Sequence, residues 1–295
     1  MDLAEVEARL EHHRLKVEEA LETWIPRSDA DPTTLHAAMR HSLEAGGKRL
    51  RPVLVCGVSE SFPGPGDPLP AAVAIECLHT YTLIHDDLPC MDDGELRRGR
   101  PTCHKAFGEA AAVLAGDGLL TLAFGILAHG YESDPSLATA LVADLAEAGG
   151  SAWLVGGQME DIENDARPMD ASALAAINAK KTGALIAAAC RFGARIGNAR
   201  PEEIDLLGRF GFALGGAFQV VDDLLDANGK DTEIGKTANR DAANGKTTYV
   251  TLEGEAAARE RARSLTEEAE SLLAGLDRDT AFLRGLTGRL LDRAR

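Results

Sequence analysis

Along most of its length the chain repeats Ala, Leu, Glu and Arg at spacings of three and four, while alternating β-branched runs are scarce and aromatics make up only 4% of residues. Residues three and four apart share a face only on an α-helix, so this periodicity predicts an all-α protein. Punctuation falls where helices must stop: Pro26 to Pro32, Pro63 to Pro70, Ser133 to Pro135, Arg167 to Met169, Asn198 to Pro201 and Asn228 to Gly245. About ten helices fit between these breaks. None of the breaks is long or polar enough to serve as a domain linker, so residues 1–295 are expected to form a single domain. Neither a low-complexity tract nor a repeat of 20 to 50 residues interrupts the pattern.

Composition narrows the function classes. With 45% hydrophobic and 26% charged residues the chain can bury a large core. A net charge of −16 leaves no basic field to displace counterions from a phosphate backbone, which argues against nucleic acid. An anionic substrate must therefore meet a local cluster of cations or a metal ion. The five cysteines (Cys56, Cys77, Cys90, Cys103 and Cys190) are scattered and include no CxxC pair, the usage expected of a reducing, cytoplasmic compartment. Met1 to Ala20 carries charges of both signs throughout, unlike a secretory or transit segment, so the mature start is expected here. The Ala-rich stretch after Glu109 is cut by Gly116, Asp117 and Gly118, and no membrane span is expected.

Two acidic clusters carry chemistry. In LIHDDLPCMDD, Asp86, Asp87, Asp92 and Asp93 close an apolar stretch that begins at Ala71; in QVVDDLLD stand Asp222, Asp223 and Asp226. On a helix Asp222 and Asp226 project together, with Gln219 joining them. Stacked carboxylates repel, so a cation is expected between them. Hard oxygen donors without an accompanying thiolate favour magnesium, which is usually held by a few carboxylates plus phosphate oxygens of a substrate. A solvated acidic face explains one such cluster equally well, but two clusters set in apolar helix sequence weigh against it. Asp86 and Asp92 lie about 120° apart on an ideal helix. Pro89 between them removes a helical hydrogen bond and distorts the turn, which offers a way to bring Asp92 round beside Asp86.

Cations answer these acids. GGKRLRP places Lys48, Arg49 and Arg51 within one turn, LRRGRPT supplies Arg97, Arg98 and Arg100, and Lys180, Lys181, Lys236 and Lys246 follow. Arginine forks suit bidentate phosphate binding and lysines act as point charges, although each cluster alone also reads as a solvated face. GKDTEIGKT (Gly229 to Thr237) has one residue too many for a P-loop and follows an acidic helix rather than a strand. Glu76 and His79 form an ExxH, but the second copy that a di-iron bundle needs is missing. His79 lies on the same face as Asp86, where it serves either as a phosphate donor or as a satisfied core histidine. Cys90 and Cys103 read as inert thiols.

Together, GGKRLRP, IHDDLPCMDD with LRRGRPT, GGQMED, KKTGALI, and GGAFQVVDDLLD with GKTTYV resemble the trans-isoprenyl diphosphate synthases, most nearly the bacterial farnesyl diphosphate synthases, in order from about Arg40 to Thr251. The resemblance implies a single-domain helical bundle around a deep central cleft, usually a homodimer. It implies that Asp86 and Asp92 bind two Mg²⁺ ions on the allylic diphosphate and Asp222 a third, with Asp87 and Asp226 in support. Lys48, Arg51, His79 and Arg98 match the family's isopentenyl diphosphate site; Arg97, Lys181, Thr182, Gln219, Lys236 and Lys246 match its allylic site. Asp86, Asp87, Asp92, Arg97, Lys181, Asp222 and Lys236 are the implied catalytic set. The chain departs from the family at Gly94, where another Asp or Asn is common, and at Glu95, where Asp is common.

The chemistry so implied is head-to-tail prenyl transfer. Breaking an allylic C–O bond leaves a carbocation and diphosphate, whose charge Lys181, Lys236, Lys246 and magnesium would stabilise. The cation must meet the alkene of isopentenyl diphosphate rather than water, which requires a closed apolar pocket. In the family the departing diphosphate takes the final proton, and no side-chain base is assigned. Tyr81 and Thr82 lie about one turn before Asp86, roughly 6 to 7.5 Å deeper along a helix. In the family an aromatic at this position accompanies a C15 product, farnesyl diphosphate, while small residues accompany geranylgeranyl or longer products; ordinary core packing is the other reading of Tyr81. A terpene cyclase would lack GGKRLRP, and a non-catalytic partner subunit tends to lose one Asp cluster. The C-terminal GLTGRLLDRAR reads as an ordinary amphipathic last helix.

Overall fold

The structure, a computed structural model, describes residues 1–64, 66–164, 169–227 and 247–292. Among them the helices run α1 Leu3–Trp24, α2 Thr33–Leu43, α3 Leu50–Ser59, α4 Leu69–Asp86, α5 Cys103–Phe107, α6 Glu109–Gly130, α7 Pro135–Gly149, α8 Leu154–Asn164 and α9 Ala171–Asn178. A π turn at Ala179–Gly183 leads into α10 Ala184–Ile196, followed by α11 Pro201–Ala227, α12 Tyr249–Glu253, α13 Glu255–Ala274 and α14 Ala281–Asp292. The only strands among the described residues are Leu96–Arg97 and Arg100–Pro101, paired antiparallel. The all-α expectation holds. Several of the helices beyond the ten expected arise where a longer one is divided: Gly108 and Gly254, both at positive φ that a side chain would resist, split the short α5 and α12 from α6 and α13, and the π turn separates α9 from α10.

Local chemistry sets the other boundaries. Asp2 caps α1 by accepting from the Glu5 amide at 2.9 Å while Glu5 accepts from the Asp2 amide at 2.8 Å, a reciprocal capping box. Thr248 caps α12 with the same reciprocal box, while Asp134 and Asp170 cap α7 and α9 by accepting from the Leu137 and Ala173 amides.

The core is organised round α4 and α10. Pro70 to Leu78 of α4 are all buried, as are Ala184 to Cys190 of α10, so these two helices lie inside the bundle. α4 packs on α6, and α10 on α3 and α11, which in turn packs on α13. Glycines permit the closest crossing: a Cβ on Gly211 would come within 2.5 Å of the Ala187 Cα, and one on Gly215 within 2.9 Å of the Gly183 Cα. The π turn is thereby pressed against α11 about two turns before its aspartates.

Gly116 and Gly118 do not cut the Ala-rich stretch, because both stay helical within the 22 residues of α6. α6 and α11 are consequently long and apolar enough to cross a membrane by length and composition, a test that the core helices of a bundle also pass. Both are bundle helices here, α6 seated on α4, α2, α5 and α7. The last helix, α14, buries Phe282, Leu283 and Leu286 and packs on α13, α11 and α1, as an ordinary amphipathic helix does.

Candidate active site

Both acidic clusters fall at the C-terminal ends of core helices, α4 and α11. A helix C-terminus carries about half a negative charge, so carboxylates stacked there are destabilised unless a cation joins them. α4 does not continue through Pro89 as a distorted helix; it stops at Asp86, and the chain turns back on itself. The Asp92 amide donates to the Asp86 carbonyl at 2.9 Å, the Asp93 amide to Leu88 at 3.1 Å and the Gly94 amide to Asp87 at 3.1 Å. This turn achieves what the proline was expected to do: it sets Asp92 beside Asp86. Burial pushes the Asp86 carboxyl above its ordinary range, and the neighbouring charges of Asp92 and Asp87 add to the rise against the opposing pull of Lys181 and Arg97.

Asp87 occupies a different setting. Its carboxylate is buried and accepts from Arg97 Nε at 2.7 Å and Nη2 at 2.8 Å, a fork that uses both oxygens. Asp87 and Arg97, expected in a supporting metal role and on the allylic side respectively, are thus brought together as a pair. Gly94 packs on this pair, and a Cβ there would lie 2.6 Å from Asp87 Oδ1, which accounts for a glycine at this position in this chain.

The second cluster divides in the same manner. Asp222 and Asp226 are half-buried, whereas Asp223 is buried and accepts from Gln219 Nε2 at 3.0 Å and from the Tyr249 amide at 3.0 Å. Gln219, expected beside Asp222, thus holds Asp223 and with it the start of α12. Among the described residues no three acidic, His or Cys side chains converge on one point. The carboxylates form separate sets rather than a closed cage.

Cations gather between them. Arg51 on α3 feels the charges of Glu76, Arg98 and Asp222; burial lowers its guanidinium to about 10, and its Nε is buried with no hydrogen-bond partner among the described residues. His79 is pushed well below its ordinary value by burial and by Arg51, Arg98, Arg97 and Arg49, which leaves a neutral imidazole among arginines. Arg98, itself at positive φ, donates to the Gly46 carbonyl, and Gly47 lies against its guanidinium, where a Cβ would meet Cζ at 2.6 Å. Lys48 on the same loop reaches α11, its Nζ 5.4 Å from the centre of the Phe218 ring. Lys181 and Thr182 sit half-buried in the π turn, an element often found at functional sites, and Lys181 bonds Asp161 of the GGQMED segment at 2.6 Å. Lys236 and Lys246 lie outside the described residues.

One turn below Asp86, Tyr81 is 6% exposed and stacks edge-on against His85 at 5.6 Å between ring centres. Burial raises its phenol, and the Asp86 charge raises it further. Thr82 turns its hydroxyl onto the His79 carbonyl at 2.7 Å. Arg49, in the same motif as Lys48 and Arg51, belongs to the scaffold: its side chain is fully buried against Glu76 at 2.6 Å and Glu18 at 2.9 Å. Sequence reasoning missed Asp161, Phe218 and His85. Only GGQMED, through its acid beside the KKT motif, held a signal for one of them.

Two carboxylate sets at helix ends thus lie near buried arginines, of which Arg51 keeps an Nε without a hydrogen-bond partner among the described residues, an arrangement able to take an anionic, phosphorylated ligand. The Polyprenyl synthetase family matches residues 32–273. The chain is 43% identical over 281 residues to the farnesyl diphosphate synthase of Geobacillus stearothermophilus, covering 94% of each. It is 44% identical over 270 residues to the heterodimeric geranylgeranyl pyrophosphate synthase large subunit 1 of Arabidopsis thaliana, covering 89% of this chain and 72% of that one. A solved geranyltransferase of Helicobacter pylori, complexed with magnesium and isoprenyl diphosphate, superposes with a TM-score of 0.84 at 31% identity, covering 98% of this chain and 96% of that one. The chain belongs to the polyprenyl synthetase family and is a trans-prenyltransferase.

Proposed function

We propose that this trans-prenyltransferase condenses isopentenyl diphosphate with dimethylallyl and geranyl diphosphates to give farnesyl diphosphate and diphosphate. The observation that carries the C15 product is Tyr81, a large buried ring one turn below Asp86 and within reach of its charge. A C20 product is the second reading, favoured by the 44% identity to a geranylgeranyl pyrophosphate synthase subunit.

The residues present fit magnesium. Asp86 and Asp92 stand side by side as hard oxygen donors with a raised carboxyl, and Asp222 and Asp226 form a second set. They do not close a cage by themselves, which suits an ion that takes its remaining ligands from water and substrate phosphate. Three ions fit the proposal, two with Asp86 and Asp92 and one with Asp222. Bound magnesium neutralises diphosphate charge as the allylic C–O bond breaks.

The chain's own residues do the rest. Lys181 and Arg97 lie beside Asp86 and stabilise the leaving diphosphate from the opposite sign. Lys48, Arg51 and Arg98, with neutral His79 as a donor, hold isopentenyl diphosphate; the orphaned Arg51 Nε is a buried donor that a phosphate oxygen would satisfy. The apolar wall of α4 and α6 beneath the aspartates keeps water from the cation, so that the alkene captures it. Thr182, Gln219, Lys236 and Lys246 complete the allylic side.

The chain is also proposed to act as a homodimer in a reducing, cytoplasmic compartment. α6 has a mean hydropathy of 1.9 over its most apolar window, yet Val113 and Leu114 remain 39% and 57% exposed, as on a helix whose outer face is covered by a second copy.

Purified protein, magnesium, isopentenyl diphosphate and each primer in turn test the reading, with dephosphorylated products sized by gas chromatography. Farnesol from dimethylallyl and geranyl primers, with little extension of farnesyl diphosphate, is the expected result. C20 products would discard the C15 assignment and keep the enzyme.

A further inference from the structure

Tyr81 does not hold its own position. Its ring meets the His85 imidazole edge-on, with an interplanar angle of 81°. His85, one turn further along α4, reaches across to α6, where its Nε2 lies 3.1 Å from the Val113 carbonyl oxygen. The imidazole occupies the space directly over Gly116, where a Cβ would overlap it. A glycine inside a helix costs about 1 kcal/mol relative to alanine. At Gly116 the close approach of His85 supplies the reason for that cost. Tyr81, His85 and Gly116 thus form a continuous strut from α4 to α6 beneath the aspartates.

We propose that His85 and Gly116 are specificity-determining positioning residues, which fix the length of the product by holding the Tyr81 ring across the channel. This rests on the reading of Tyr81 as the channel floor. Without the imidazole at its side the phenol ring gains room to tilt toward α6, and a chain five carbons longer fits beneath the allylic diphosphate. Neither His85 nor Gly116 needs to touch the substrate for this effect.

The test compares Tyr81→Ala, His85→Ala, His85→Gln and the double variant Tyr81→Ala/His85→Ala, each incubated with magnesium, isopentenyl diphosphate and geranyl diphosphate. The readout is the ratio of C20 to C15 product, which a general loss of folding or rate does not change. His85→Gln keeps a donor for the Val113 carbonyl and removes the ring, so it separates the strut from simple helix contact. Both His85 variants are expected to raise the ratio about three- to tenfold, the effect of losing an aromatic edge contact. In the Tyr81→Ala background, removal of His85 is expected to add nothing, because His85 acts through Tyr81. Unchanged ratios in both His85 variants, with a raised ratio in Tyr81→Ala, would overturn the strut and leave the floor standing. A further rise in the double variant would overturn it too. An unchanged ratio in Tyr81→Ala would remove floor and strut together.

Discussion

Arg49 should prove a stability residue, although it stands between two residues proposed to bind substrate. Its guanidinium is completely buried and donates to Glu76 at 2.6 Å, to Glu18 at 2.9 and 3.3 Å, and to the Leu43 carbonyl; Glu76 itself is 2% exposed. Replacing Arg49 by methionine keeps the volume and removes the charge, which leaves the Glu76 carboxylate buried beside an apolar group. Breaking such a pair costs about 3–5 kcal/mol. The nearby charges of Arg51 and Arg98 also act on Glu76 and offset part of this, which places the expected loss near the lower bound, ~3 kcal/mol. For a chain of this size that corresponds to a fall in Tm of about 6–10 °C. Urea unfolding followed by circular dichroism would show a lower midpoint at unchanged slope. The double variant Arg49→Met/Glu76→Gln should recover much of the loss, because no charge is then stranded. A stability within about 0.5 kcal/mol of wild type, accompanied by a tenfold rise in KM for isopentenyl diphosphate, would refute the reasoning and make Arg49 a substrate ligand.

Lys48→Ala should show the reverse pattern, with KM for isopentenyl diphosphate raised about tenfold and Tm unchanged, since its contact with Phe218 is an exposed one worth less than about 1 kcal/mol. Asp86→Asn should lower kcat by about 10²–10³-fold while raising Tm in chelator-treated protein. The sign follows from the raised carboxyl: a charge disfavoured in the folded state destabilises it above that pKa, and amidation removes the penalty. Chelation of wild-type protein should abolish product formation, with magnesium restoring it. Glu203, which accepts from the Arg200 side chain and amide and from Arg278, is held down to about 2. Its contribution to stability is present above the unfolded value near 4.5 and is lost as pH falls toward 2, so acid unfolding of Glu203→Gln should show a shallower pH dependence over that window.

The fold was legible because the 3/4 spacing and the Pro and Gly breaks act locally. Four of the six predicted breaks coincide with helix ends; Arg167 to Met169 lies mostly, and Asn228 to Gly245 wholly, outside the described residues. The breaks that escaped are those imposed by tertiary contacts. After α2 the chain runs through Gly46 and Gly47 at positive φ, with Arg98 donating to the Gly46 carbonyl, and α4 stops at Asp86, where the following turn closes its own hydrogen bonds. Nothing in LPCMDD announces that Asp92 will donate its amide to Asp86. Likewise, the chemistry of a cation is visible in sequence but its partner is not: Arg49 and Arg51 look alike, and only the positions of Glu18 and Glu76 on other helices assign one to the scaffold and leave the other for a ligand.

The paired aspartates show what periodicity can and cannot decide. Neighbours on a helix point about 100° apart, so when one aspartate of a pair faces the cleft the next is driven into the wall. Asp86 lies in the field of Lys181, and Asp222 bears on Arg51. Asp87 instead grips Arg97, and Asp223 grips Gln219 and the start of α12. Both DD pairs therefore split into a residue that meets cations across the cleft and one that braces the residues around it. Which member does which depends on where Arg97 and Tyr249 arrive from, a long-range fact absent from either motif. A carboxylate buried by the helix wall must find its cation or donor in the protein, as Asp87 and Asp223 do, and this is the physical ground for proposing Asp86 and Asp222 rather than their neighbours as the main magnesium ligands.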